Sequence, residues 1–158
     1  MRLPTDRPVR LLFVCSGNLC RSPMAEGLAR SYAADRGLPL EVRSAGTLGI
    51  VDQPAEANAI AVCDEIGVPL TDHRSQAVNP ENTAWADLIA VMEVAHATHL
   101  RANFPTSHEK VVMLGSFGAV QEVADPIGGW RFQFRWSRDE IRRCVVALID
   151  RLPRETRR

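Results

Sequence analysis

The stretch "LLFVCSGNLCRSPMAEGLA", residues 11–29, decides the reading of this chain. A mostly apolar stretch from Val9 to Val14 reads as a buried strand. It meets Cys15, Gly17 and Asn18, residue types suited to a sharp turn: Gly17 relieves crowding and Asn18 tolerates a left-handed backbone. From Pro23 to Arg36 the apolar residues Met24, Ala25, Leu28, Ala29, Tyr32 and Ala33 recur at helical spacing. Ser22 is the expected cap, Pro23 the expected first residue and Gly37 the expected stop. A strand, a tight loop and a helix N-terminus together make an anion site, because the loop amides lack partners and the helix dipole favours negative charge. Arg21 adds a planar fork that grips two oxygens of a tetrahedral oxyanion. The same cradle favours a thiolate at Cys15, and Ser22 is placed to donate a hydrogen bond to it. One loop can thus bind a phosphate and supply the nucleophile that attacks it.

Outward from this stretch the strand–helix alternation continues. Residues 40–45 and 86–92 and residues 110–114 read as strands, and 54–67 and 94–103 as helices, the latter stopped by Phe104 and Pro105. The last helix carries Ile141, Cys144, Val145, Leu148, Ile149 and Leu152 on one stripe, with Ser137 and Glu140 as its capping box and Pro153 as its end. Such alternation implies right-handed crossovers and an α/β fold with a parallel sheet covered on both faces, with ligands bound at the carboxyl ends of the strands. Residues 115–136 lack periodicity, and a loop of that length in a compact domain is usually functional. Alternation of Trp130, Phe132, Phe134 and Trp136 suggests packing of that loop onto the core, or a wall beside the substrate.

The 158 residues fit one domain: an extended lead-in at 1–8, a single domain at 9–153 and a short basic tail at 154–158. With 19 basic and 19 acidic residues the net charge is zero, which argues against nucleic-acid or membrane-surface binding through bulk charge. No apolar run is long enough for a membrane span, and no signal-peptide pattern follows residues 9–15. The four cysteines, Cys15, Cys20, Cys63 and Cys144, match no zinc spacing and are sparse for a disulfide scaffold. A cytoplasmic, monomeric protein is expected, with Cys63 and Cys144 in the core.

Cys15, Gly17, Asn18, Cys20, Arg21, Ser22 and Pro23 agree with one pattern, and chance agreement at all of them is below roughly one in a million. "VCSGNLCRSP" resembles the V-C-x-G-N-x-C-R-S-P signature of the low-molecular-weight protein tyrosine phosphatase family. "SAGT" at 44–47, "DHRSQ" at 72–76, "ADLIAVM" at 86–92, "LGSF" at 114–117 and "ADP" at 124–126 follow in the family's order. The resemblance implies a flavodoxin-like three-layer fold with a four-stranded parallel sheet. It also implies hydrolysis of phosphorylated proteins through a phosphocysteine, with no metal and no cofactor. Cys15 would be the nucleophile, Arg21 the phosphate clamp and Asp125 the general acid. Ser16, Gly17, Asn18, Leu19, Cys20 and Ser22 would form the phosphate loop, supported by His73. Cys20 would be able to pair with Cys15 under oxidation.

Tyrosine-specific members usually wall the cleft with aromatics after the "SAGT"-like segment and after Asp-Pro. Here Leu48, Gly49 and Ile127 occupy those places, and no ring is present. "DPIGG" resembles the "DPFGG" of protein arginine phosphatases, whereas the aliphatic Leu19 resembles tyrosine phosphatases, since arginine phosphatases tend to have Thr there. Phosphotyrosine is therefore the expected substrate and phosphoarginine the competitor. A thioredoxin-coupled arsenate reductase would need two more cysteines near the third strand, and residues 78–104 contain none. A non-catalytic phosphate-binding module would not need Cys15 and Asp125. A P-loop nucleotide hydrolase is excluded because Gly-x4-Gly-Lys-[Ser/Thr] is absent.

Overall fold

The computed structural model describes residues 2–154. Most of the basic tail, residues 155–158, lies outside the described residues. Four parallel strands form one sheet: β1 (Val9–Cys15), β2 (Leu40–Gly46), β3 (Leu88–Val91) and β4 (Val111–Met113), in the order β2-β1-β3-β4. The five helices are α1 (Arg21–Arg36), α2 (Ala57–Asp64), α3 (Pro80–Trp85), α4 (Val94–Asn103) and α5 (Arg131–Asp150). The period-two geometry of β1 sends alternate side chains to opposite faces. Leu11 and Phe13 pack with α1, α2 and α5 through Met24, Leu28, Val62, Phe134 and Ile141. Leu12 and Val14 pack with α4 on the other face through Ala97 and Leu100. Three layers result, with β1 central and buried on both sides. No helix among the described residues is long and apolar enough to cross a membrane.

Several boundaries differ from those read from the sequence. Helix α1 begins at Arg21 with Cys20 as its N-cap, and no side chain caps it. Ser22 is not the cap because its hydroxyl turns to Cys15 and Asn18 instead. Pro23 still sits in the first turn, where a missing N–H leaves no bond unmade. Gly37 ends the helix in the left-handed conformation, as expected. Helix α2 is shorter than 54–67, and Gly67 closes the turn beyond it at φ 75. Helix α3 was not foreseen; Asn79 caps it through a reciprocal pair of bonds with Asn82. Helix α5 starts at Arg131, not at Ser137, which lies inside the helix with its Oγ buried and unpartnered. The true start is closed by Gln133 Oε1, which accepts from the Trp130 N–H at 2.6 Å. The rings at 130–136 are therefore mostly helical, and only Phe134 packs into the core; Trp130, Phe132 and Trp136 are exposed. Cys63 and Cys144 are buried in the core.

Candidate active site

The carboxyl end of β1 delivers Cys15 into a loop that turns back into α1. Asn18 is the keystone of that loop. It is fully buried and holds φ 56, a left-handed conformation that Asn tolerates better than most residues. Its Nδ2 donates to Ser22 Oγ at 2.8 Å and to Ser44 Oγ at 2.9 Å, and its Oδ1 accepts from the Gln76 N–H at 3.0 Å. His73 Nε2 donates to the Asn18 carbonyl at 2.7 Å. Burial lowers the His73 pKa and so favours the neutral ring, against the bond to the Asn18 carbonyl, which favours the charged one.

Two donors converge on the sulfur. Ser22 Oγ lies 2.9 Å from Cys15 Sγ, and the Asn18 N–H reaches it at 3.3 Å. Ser22 already accepts from Asn18, so its own hydroxyl hydrogen is free for the sulfur. Hydrogen bonds to the ionised form favour it over the neutral thiol. Among the described residues the N–H groups of Gly17, Leu19 and Cys20 find no acceptor, so they remain available to an incoming oxyanion. The β2 segment behind the loop must be thin. Cys15 is in register with Gly46, and a Cβ there would lie 2.6 Å from the Ser16 carbonyl oxygen and 2.9 Å from the Asn18 nitrogen.

Arg21 is 1% exposed, and its fork is divided. One terminal nitrogen, Nη1, is tied to Glu93 Oε2 and to the Val123 carbonyl, each at 2.8 Å. The other, Nη2, approaches Ser16 Oγ and Asp125 Oδ2, each at 3.4 Å. Two residues of this support were missed in the sequence: Glu93 and His96, at the start of α4. The Glu93 N–H donates to His96 Nδ1 at 3.1 Å, so Nε2 carries the hydrogen and donates to Ser16 Oγ at 2.8 Å. Burial, reinforced by the Arg21 charge, pushes the His96 pKa down to about 4. Glu93 lies one residue beyond β3, the strand beside β1, and an acidic residue at a strand's carboxyl end was the available signal.

Asp125 Oδ1 accepts from the Ile127 N–H at 3.1 Å, an Asx turn that aims the carboxyl into the recess. Cys15, Gly17, Leu19, Cys20, Arg21, Asp125 and Ile127 line this recess, whose volume is about 20 Å³. That is room for about one water, so a phosphoryl group must displace the Asp125 carboxylate from Arg21. Cys20 faces the same recess as a free thiol, its pKa pushed up to about 12 by burial and then by the charge of Asp125. Leu48 and Ile127 are exposed, and Gly49, next to Leu48, turns the chain at φ 74. Ile50, not singled out in the sequence, comes up to the loop: its Cδ1 is 3.6 Å from where a Gly17 Cβ would stand. A larger cleft of about 720 Å³ shares His73, Ser44 and Gln76 with the loop's support, and none of the cysteines lines it.

Comparison with known proteins agrees in sequence and in shape. The family model described as low molecular weight phosphotyrosine protein phosphatase matches residues 10–158. A protein-arginine-phosphatase of Geobacillus stearothermophilus is 35% identical over 94% of this chain and 99% of its own length. The low molecular weight protein-tyrosine-phosphatase Etp of Escherichia coli K12 is 34% identical over 92% of this chain and 90% of its own. The crystal structure of a low molecular weight protein tyrosine phosphatase from T. tengcongensis superposes with a TM-score of 0.87 at 32% identity, covering 91% of this chain and 99% of the other.

Proposed function

The chain belongs to the low molecular weight phosphotyrosine protein phosphatase family, and from that premise we propose that Cys15, Arg21 and Asp125 hydrolyse phosphotyrosine in proteins through a phosphocysteine. The observation that carries this reading is the sulfur of Cys15, which receives Ser22 Oγ and the Asn18 N–H inside a recess that also holds Arg21 and Asp125. The phosphoryl group enters over the loop amides and takes the Nη2 side of Arg21, while Glu93 and Val123 hold the Nη1 side. The sulfur attacks phosphorus, the P–S bond forms and the P–O bond to the tyrosine breaks. Asp125, released from Arg21, takes up a proton from solvent and passes it to the leaving oxygen. Water then attacks the phosphocysteine, Asp125 takes the water's proton, and the P–S bond breaks. The Ser22 hydroxyl donates to the departing sulfur. The enzyme acts as a single unit over residues 9–153, as a cytoplasmic monomer.

The rim favours phosphotyrosine through Leu19, an aliphatic side chain that lines the recess and offers a polar guanidinium no partner. Phosphoarginine is the second reading, favoured by the 35% identical arginine phosphatase and by the Gly128–Gly129 pair after Ile127. Rates on matched phosphotyrosine and phosphoarginine peptides decide between them. Cys15→Ser should abolish hydrolysis of p-nitrophenyl phosphate while vanadate still binds; turnover like the wild type would place the nucleophile elsewhere. Asp125→Asn should slow aryl phosphates with poor leaving groups far more than those with good ones. Equal slowing across the series would remove Asp125 from the acid role.

A further inference from the structure

A second concavity adjoins the recess on the far side of the acid loop. This groove, about 320 Å³, is lined by Ala124, Asp125 and Pro126 of the loop and by Phe132, Trp136 and Glu140 of α5. The last three stand four residues apart, so two rings and a carboxylate form one stripe along the helix. Phe132 is 62% and Trp136 73% exposed, unusual for rings that a small protein could bury.

We propose that this groove, given the phosphatase reading above, binds a basic side chain of the substrate protein close in sequence to the phosphorylated residue. The charges fit such a guest. Glu140 has no ion-pair partner among the described residues. Glu122, at the groove's edge, spends one carboxylate oxygen on the Val94 N–H and has no ion-pair partner among the described residues. Four arginines of α5 are turned to other partners, Arg135 and Arg138 to Glu65, Arg131 to Asn58 and Arg143 to the Gly118 carbonyl, and the fifth, Arg142, lines a separate concavity with Leu28 and Tyr32. An exposed ring beside an unpaired carboxylate is the arrangement that receives an ammonium or a guanidinium. Ser137 Oγ, the buried side-chain oxygen left without a partner among the described residues, belongs to the same lining. Asp125 lines both concavities, so a residue held in the recess places its sequence neighbours at the groove.

The test uses matched peptides, each carrying one phosphorylated residue and Arg, Gln, Glu or Leu at one of the four positions on either side. The set is made with phosphotyrosine and with phosphoarginine, and the ratio is read on whichever is turned over. At low ionic strength kcat/KM should favour Arg over Gln by roughly tenfold at the best position. Glu140→Gln and Trp136→Ala should bring that ratio close to one, each rate being normalised to the same variant's hydrolysis of p-nitrophenyl phosphate. Glu140→Lys should invert the preference toward a peptide with Glu at that position. Equal rates on the Arg and Gln peptides in the wild type would overturn the proposal and leave the phosphatase reading intact. So would an Arg preference that persists in all three variants, or a Leu peptide that gains as much as the Arg peptide. No turnover of any phosphopeptide would sink the phosphatase reading and the groove's role with it.

Discussion

Removing the Asn18 side chain should cost this protein much of its stability, and two substitutions separate the reasons. Asn18→Ala deletes the donors to Ser22 and Ser44 and the acceptor for the Gln76 N–H. Each lost bond is worth about 1 kcal/mol, and the partly buried Gln76 N–H left without a partner adds about 1–3 kcal/mol. Alanine must also hold the left-handed backbone at φ 56, which costs it roughly a further 1 kcal/mol. The sum is about 5–7 kcal/mol for Asn18→Ala, and about 1 kcal/mol less for Asn18→Gly, which adopts that backbone freely. Against an ordinary total of about 5–15 kcal/mol this is severe, and it corresponds to a fall in Tm on the order of 10 °C or more. Urea denaturation monitored by circular dichroism reads both differences as midpoint shifts at unchanged slope. An alanine variant as stable as the glycine variant would show that the backbone conformation carries no strain. A loss below about 1 kcal/mol in both would show that the three bonds do not hold the loop.

Gly46→Ala should destabilise the protein by about 1–3 kcal/mol and depress kcat, because the new methyl meets only loop backbone, which cannot yield cheaply. A thermal shift with and without phosphate measures both the loss and any weakening of the anion site. Acid should unfold the protein partly through His96, whose pKa in the fold, about 4, lies below its unfolded value. Its contribution is complete above about pH 6.5 and drains as pH falls toward 4, with about 2 kcal/mol lost between pH 7 and 5. Arg21, Glu93, Asp125 and Glu122 surround the ring, and His73 shifts in the same sense. His96→Gln should flatten this acid limb in urea titrations at a series of pH values, whereas an unchanged slope would assign the limb to other groups.

The loop itself was legible because its residues sit within nine positions of one another on a strand–helix junction, where turn chemistry and hydrophobic period change together. Helix α4 was equally plain, since Phe104–Pro105 stops it. Glu93 and His96 were hidden by separation: they lie more than 70 residues from the loop they brace, and at their own place they read as an ordinary helix start. Helix α3 spans six residues, too short for periodicity to show, though Asn79–Pro80 was a usable start signal. The start of α5 escaped because its first turns leave Trp130, Phe132 and Trp136 in solvent, so the apolar stripe that reveals a helix begins only where Phe134 and Ile141 turn inward.

The segment that carries Asp125 is moored at both ends. Val123 takes the Arg21 guanidinium on its carbonyl and gives its N–H to Met92, and Trp130 opens α5. Six residues hang between these moorings, much as a short drawbridge hangs between two towers. On the proposed reading, reactivity is anchored in the sheet and the first helix, and the drawbridge and the opposite bank around Ile50 stand where a guest would be discriminated. Exchanging residues of the two banks can redirect such an enzyme to new guests without retuning its sulfur.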